Sequence, residues 1–70
     1  MDIQSVIFSK FKWTIPMALD WLNRHGLIHY KVDETRSKYR FRQFDPHYGM
    51  KYRTIKLGRD SGIEYVLAYP

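Results

Sequence analysis

Three histidines, four serines and one adjacent pair of carboxylates are the side chains of this 70-residue sequence with the reach to do chemistry. His25 and His29 are four residues apart, as two metal ligands on one helix face would be, but Gly26 breaks a helix between them. His47 falls in a loop with only Asp45 as a nearby carboxylate. His25 reads better as a helix-terminal residue near the negative end of the dipole, and His29 as an ordinary strand residue. Ser5, Ser9, Ser37 and Ser61 stand in no nucleophile elbow, and no glycine-rich phosphate loop is present. Asp33 and Glu34 would point to opposite faces if the strand continued, so they make no paired-carboxylate site by themselves, and they read as the start of a hairpin turn completed by Thr35 to Ser37. The expectation is a non-enzymatic protein without catalytic residues, metal or cofactor.

Charge is the stronger signal. Twelve Lys and Arg against seven Asp and Glu give a net charge of +5 and a pI near 9.7, a balance that attracts polyanions. Lys38 to Phe44 and Lys51 to Leu57 alternate basic and apolar residues with a period of two, the pattern of strands with one buried face. Parity places Ile28, Tyr30, Val32, Tyr39, Phe41, Ile55 and Leu57 on a covered face. His29, Lys31, Lys38, Arg40, Arg42, Tyr52, Thr54 and Lys56 then share an open one. Lys31, Lys38, Arg40, Arg42 and Lys56 could neutralise phosphates there, while Tyr52 could stack an unpaired base, which suits single-stranded nucleic acid. The competing reading is a merely solvated face, with Glu64 paired across strands to Lys56. Arg53 breaks the parity, so it marks a sheet edge or a bulge.

The elements that must position these residues follow from punctuation and periodicity. Thr14 is a good N-cap, Pro16 fits a first turn and Gly26 a C-terminal stop, predicting a helix from Ile15 to His25. Ala18, Trp21, Leu22 and His25 form its apolar stripe, and Trp13 leans on Ala18 as a staple. Strands are expected at Gln4 to Ser9, Leu27 to Asp33, Lys38 to Phe44, Tyr52 to Leu57 and Ile63 to Tyr69. The order β-α-β-β-β-β predicts a single α+β domain, one helix on one face of an antiparallel sheet, the last four strands forming a meander. The apolar last strand would be sticky at an edge, which makes a homodimer through it, or a protein-interaction module, the alternative to nucleic-acid binding.

A chain this short buries only about 60 to 65% of its unfolded surface, so aromatic residues must supply much of the core. Absence of cysteine fits a reducing compartment. Met1-Asp2 followed by a short apolar run shows neither a secretory leader nor a membrane span, so a soluble, cytoplasmic protein is expected.

Ser5-Val6-Ile7-Phe8, Trp13-Thr14, Ala18, Trp21-Leu22, His25-Gly26, Val32 to Thr35, Tyr39 to Pro46 and Tyr52 to Gly58, in that order, resemble a family of small uncharacterised proteins of tailed bacteriophages and large DNA viruses. The resemblance implies a stand-alone viral module, in the infected cell or the virion, and carries no activity or site residue with it. Pro16, Met17, Leu19 and Asp20 stand where that family usually has more lysine.

Overall fold

The computed structural model describes all of Met1–Pro70. In chain order the elements are β1 (Asp2–Ser9), α1 (Ile15–Arg24), β2 (Val32–Glu34), β3 (Lys38–Arg42), β4 (Lys51–Leu57) and β5 (Ile63–Tyr69). The chain has the α+β architecture read from its sequence, one helix with a five-stranded antiparallel sheet. No helix is long and apolar enough to cross a membrane.

The helix starts and stops where its punctuation says. Thr14 Oγ1 accepts the Met17 amide at 3.4 Å, and Pro16 occupies the first turn. At the other end Gly26, at φ 68°, lets its own amide reach Asn23 O and the Leu27 amide reach Leu22 O at 2.9 Å. Those two bonds satisfy carbonyls that the helix leaves open, with His25 as the C-cap.

Across the sheet the order is β2-β3-β1-β5-β4, so the expected meander does not form. The hairpins β2–β3 and β4–β5 exist, but β1 is inserted between them. The reason is burial. Gln4, Ser5, Val6 and Phe8 are all buried, and a strand buried on both faces belongs in the centre, where both edges are also paired. Strand β5 pairs β1 on one side and β4 on the other, so the last strand is internal and offers no edge for a homodimer. The free edges are β2 and β4.

Strand β2 is also shorter than expected. The amide and carbonyl of Ile28 are taken by the Gln43 side chain, at 2.7 and 2.9 Å, instead of by a neighbouring strand. Leu27 to Lys31 therefore run beside the sheet, and Ile28, His29, Tyr30 and Lys31 have no sheet face. Tyr30 is 71% exposed. Asp33 and Glu34 remain in the strand, and the turn occupies Thr35 to Ser37, closed by the Lys38 amide on Thr35 Oγ1 at 3.1 Å.

Val6, Phe8, Ala18, Leu22, Phe41 and Ile63 form the core between helix and sheet. Phe8 is its centre, edge-on to Trp13 (4.9 Å between ring centroids), Phe41 (5.6 Å) and Trp21 (5.7 Å). Trp13 thus packs on the sheet through Phe8, and its Nε1 donates to Ser61 O at 2.7 Å.

Candidate nucleic-acid interface

Register fixes which side chains leave the core. Val6 lies opposite Phe41 and Phe8 opposite Tyr39 on the helix side, so the pairs Ser5–Arg42 and Ile7–Arg40 face away from it. By the same alternation Tyr52, Thr54 and Lys56 face outward from β4, opposite Ala68, Val66 and Glu64. Lys38, Arg40, Arg42, Tyr52 and Lys56 therefore do share the face that the helix leaves open. Lys38 and Lys56 approach each other at one end of the sheet, on either side of Glu64, but Arg40 and Arg42 do not form one patch with Tyr52. With β1 and β5 between them, the β3 and β4 rows lie three strand spacings apart, about 14 Å.

The two rows differ in how their charge is used. Lys38 Nζ sits 3.0 Å from Glu64 Oε1, which denies Lys56 that carboxylate. Arg40 donates from Nε to Ser5 Oγ and from Nη2 to Gln4 Oε1, both at 3.1 Å. The contact lies at a bulge in β1 between Ile3 and Ser5, where Ser5 Oγ also donates to buried Gln4 Oε1 at 2.5 Å. Arg42 lies between Asp33, with Nε 3.0 Å from Oδ2, and Asp45, with Nη1 3.6 Å from Oδ1. Its buried Nε–H is not aligned on Asp33 and makes no hydrogen bond. The β3 row is thus bound up with its own protein.

The β4 side is free. Five of the twelve cations take six of the seven carboxylates, and all five lie outside residues 51–59. Lys51, Arg53, Lys56 and Arg59 are exposed and without an acidic partner, along an edge strand and into its turn. Arg53 resolves as an exposed edge residue; the bulge is in β1. Tyr52 Oη accepts from the His47 amide at 2.8 Å, tying its ring, 37% exposed, to the loop from Gln43 to Met50. That loop is stitched to β1 through the Gln43 amide on Gln4 O and Gln4 Nε2 on Phe44 O, at 2.7 and 2.8 Å, and closes one end of the sheet. Lys31 is exposed and unpaired, in the segment before β2.

Sequence reasoning left Lys51, Arg53 and Arg59 out of the site because parity sets Lys51 and Arg53 on the face opposite Tyr52 and Lys56, as the register also does, and Arg59 lies in the turn beyond the strand. A signal was present: no acidic residue occurs between Asp45 and Asp60, while four cations do. The histidines are dispersed. His25 stacks on Trp21 at 3.7 Å with Nδ1 2.7 Å from Trp21 O, and His47 stacks on Phe44. No three His, Asp or Glu side chains are grouped as metal ligands would be.

Comparison of the chain with protein-family models, with curated proteins and with solved structures finds no match.

Proposed function

We propose that this chain is a non-enzymatic nucleic-acid-binding module whose working surface is the cationic β4 rim and the adjoining open face. The observation that carries the reading is the uncompensated set Lys51, Arg53, Lys56 and Arg59 on one edge. Lys56 and Arg59 beside the open face, and Lys51 and Arg53 on the other side of the same edge, have no internal partners, so a strand wrapping this edge could bring phosphates to all four, and release of their counterions drives association. Tyr52 lies in the same strand with its ring held by the His47 contact, where an unpaired base could stack on it. Such a site favours a single strand over a duplex. The resemblance noted above supports reading it as a viral accessory protein that acts in replication or packaging of a genome.

The test is fluorescence anisotropy of labelled single-stranded and duplex oligonucleotides at low and moderate salt. Binding that prefers single strands and weakens steeply with salt is the expected result. No binding at low salt refutes the reading and turns attention to the second one, a protein-interaction module, for which the open backbone edge of β4 could receive an acidic extended segment.

A further inference from the structure

At the end of the sheet opposite the Gln43–Met50 loop, a cleft of about 290 Å³ opens on the non-helix face. Four cations line it from four places in the chain: Lys12 before the helix, Lys38 at the start of β3, Lys56 near the end of β4 and Arg59 in the β4–β5 turn. Two carboxylates also line it, and each is already engaged. Lys38 holds Glu64 at 3.0 Å, and Lys12 Nζ lies 3.9 Å from Asp60 Oδ1 while donating to Asp60 O. Lys56 and Arg59 are left over, so the cleft carries a net double positive charge with no internal anion to meet it.

The turn that shapes the cleft is fixed from several sides. Trp13 Nε1 donates to Ser61 O at 2.7 Å, the Ser9 amide to Gly62 O at 2.8 Å, and Ser61 Oγ to Leu57 O. At Gly62, with φ 75°, a Cβ would lie 3.2 Å from both Lys12 Cβ and the Trp13 ring, closer than ordinary van der Waals contact. The amides of Gly58 and Arg59, both lining the cleft, donate to no group of the chain. A doubly cationic surface cleft beside two amides that have no partner in the chain has the chemistry of a phosphate site.

We infer that this cleft binds a phosphate monoester dianion through Lys56 and Arg59. The chemistry is common to the terminal phosphate of a nucleic-acid strand and to a free nucleotide. Only the first source rests on the nucleic-acid reading, in which the cleft receives the end of a strand lying along β4. A terminal phosphate carries one more charge than an internal diester, which is what two unpaired cations in one cleft can distinguish.

Two measurements test the inference. In the first, inorganic phosphate is titrated into ¹⁵N-labelled protein, with chloride as the control for ionic strength. The Gly58, Arg59 and Gly62 amide resonances should move in the wild type and stay still in Lys56→Ala/Arg59→Ala. Both positions are exposed, so the fold should survive; Lys51→Ala/Arg53→Ala should respond like the wild type. Resonances that do not move, or that move equally in the cleft variant, overturn the site. In the second, oligonucleotides ending in a phosphate or a hydroxyl are compared by anisotropy, and about tenfold tighter binding of the phosphorylated end is expected, abolished in the cleft variant. Phosphate response without any oligonucleotide binding keeps the cleft, assigns it a free nucleotide and removes the nucleic-acid reading. Oligonucleotide binding with neither end preference nor phosphate response does the reverse.

Discussion

If the four unpaired cations of residues 51–59 carry binding, the salt dependence must reside in them and not in the β3 row. Each phosphate contact to a single strand contributes about −0.7 to the slope of log affinity against log salt, so four contacts give about −2.8. Affinity should then fall about fiftyfold between about 50 and about 200 mM salt. Lys51→Ala/Arg53→Ala keeps two contacts; its slope should drop to about −1.4 and the same salt change should cost only about sevenfold. The matched control is Asp33→Asn/Arg42→Gln, which deletes an existing ion pair without changing net charge. Its slope should equal that of the wild type, because a cation already neutralised within the protein has few counterions to release. The assay is anisotropy of one labelled oligonucleotide at four salt concentrations for the three proteins. A reduced slope in the Arg42 control together with an unchanged one in the β4 variant would refute the assignment of binding to the unpaired cations.

Further predictions concern the scaffold that holds this surface. Phe8→Ala removes the ring on which Trp13, Trp21 and Phe41 all pack and should cost about 3 to 5 kcal/mol, against a total of about 4 to 10 kcal/mol for a chain of this length, so a urea melt followed by circular dichroism should show roughly half of the stability lost. Gly62→Ala and Gly58→Ala both force alanine into the left-handed region, at about 1 to 2 kcal/mol, but only Gly62 has a ring 3.2 Å from the new Cβ. Urea melts should therefore place Gly62→Ala below Gly58→Ala, and equal midpoints would mean that Trp13 moves freely. Burial raises the Tyr65 phenol above its ordinary value of 10.0. A group whose folded pKa is raised contributes stability below its unfolded pKa and loses it as pH rises through the folded one, so stability should fall at strongly alkaline pH and fall less in Tyr65→Phe.

What the sequence made legible was local. The Thr14 cap, Pro16 and Gly26 act within one or two turns, and alternation in Lys38–Arg42 and Lys51–Leu57 assigns a face to each residue without reference to any neighbour. Strand order is set by long-range choices that leave little trace in any one segment. The central position of β1 depends on Gln4 and Ser5 being buried, and two polar residues in a row do not advertise burial; their partners are Arg40 and Phe44, some 35 to 40 residues away. Likewise the loss of strand over Leu27–Lys31 turns on one glutamine, Gln43, taking both backbone groups of Ile28. Inserting β1 between β3 and β5 is what separates the expected basic patch into two rows.

A cationic edge strand has a second physical consequence, and it bears on how the binding experiments should be read. Unpaired backbone groups on alternate residues of β4 are a template for another strand, and lysine or arginine along such an edge opposes pairing with a second copy by like-charge repulsion. The two roles are separable because they respond to different concentrations. Protection of the edge is an interaction between copies of this chain, so neutralising Lys51 and Arg53 should promote association that grows with protein concentration and with salt. Polyanion binding is an interaction with a different molecule, weakens with salt and is visible at protein concentrations where copies do not meet. Sedimentation velocity of Lys51→Ala/Arg53→Ala at several protein concentrations therefore belongs beside its anisotropy. A variant that stays monomeric and loses about half the salt slope places the cations in binding. One that oligomerises while the wild type shows no affinity for any oligonucleotide at low salt places them in protection of the edge alone.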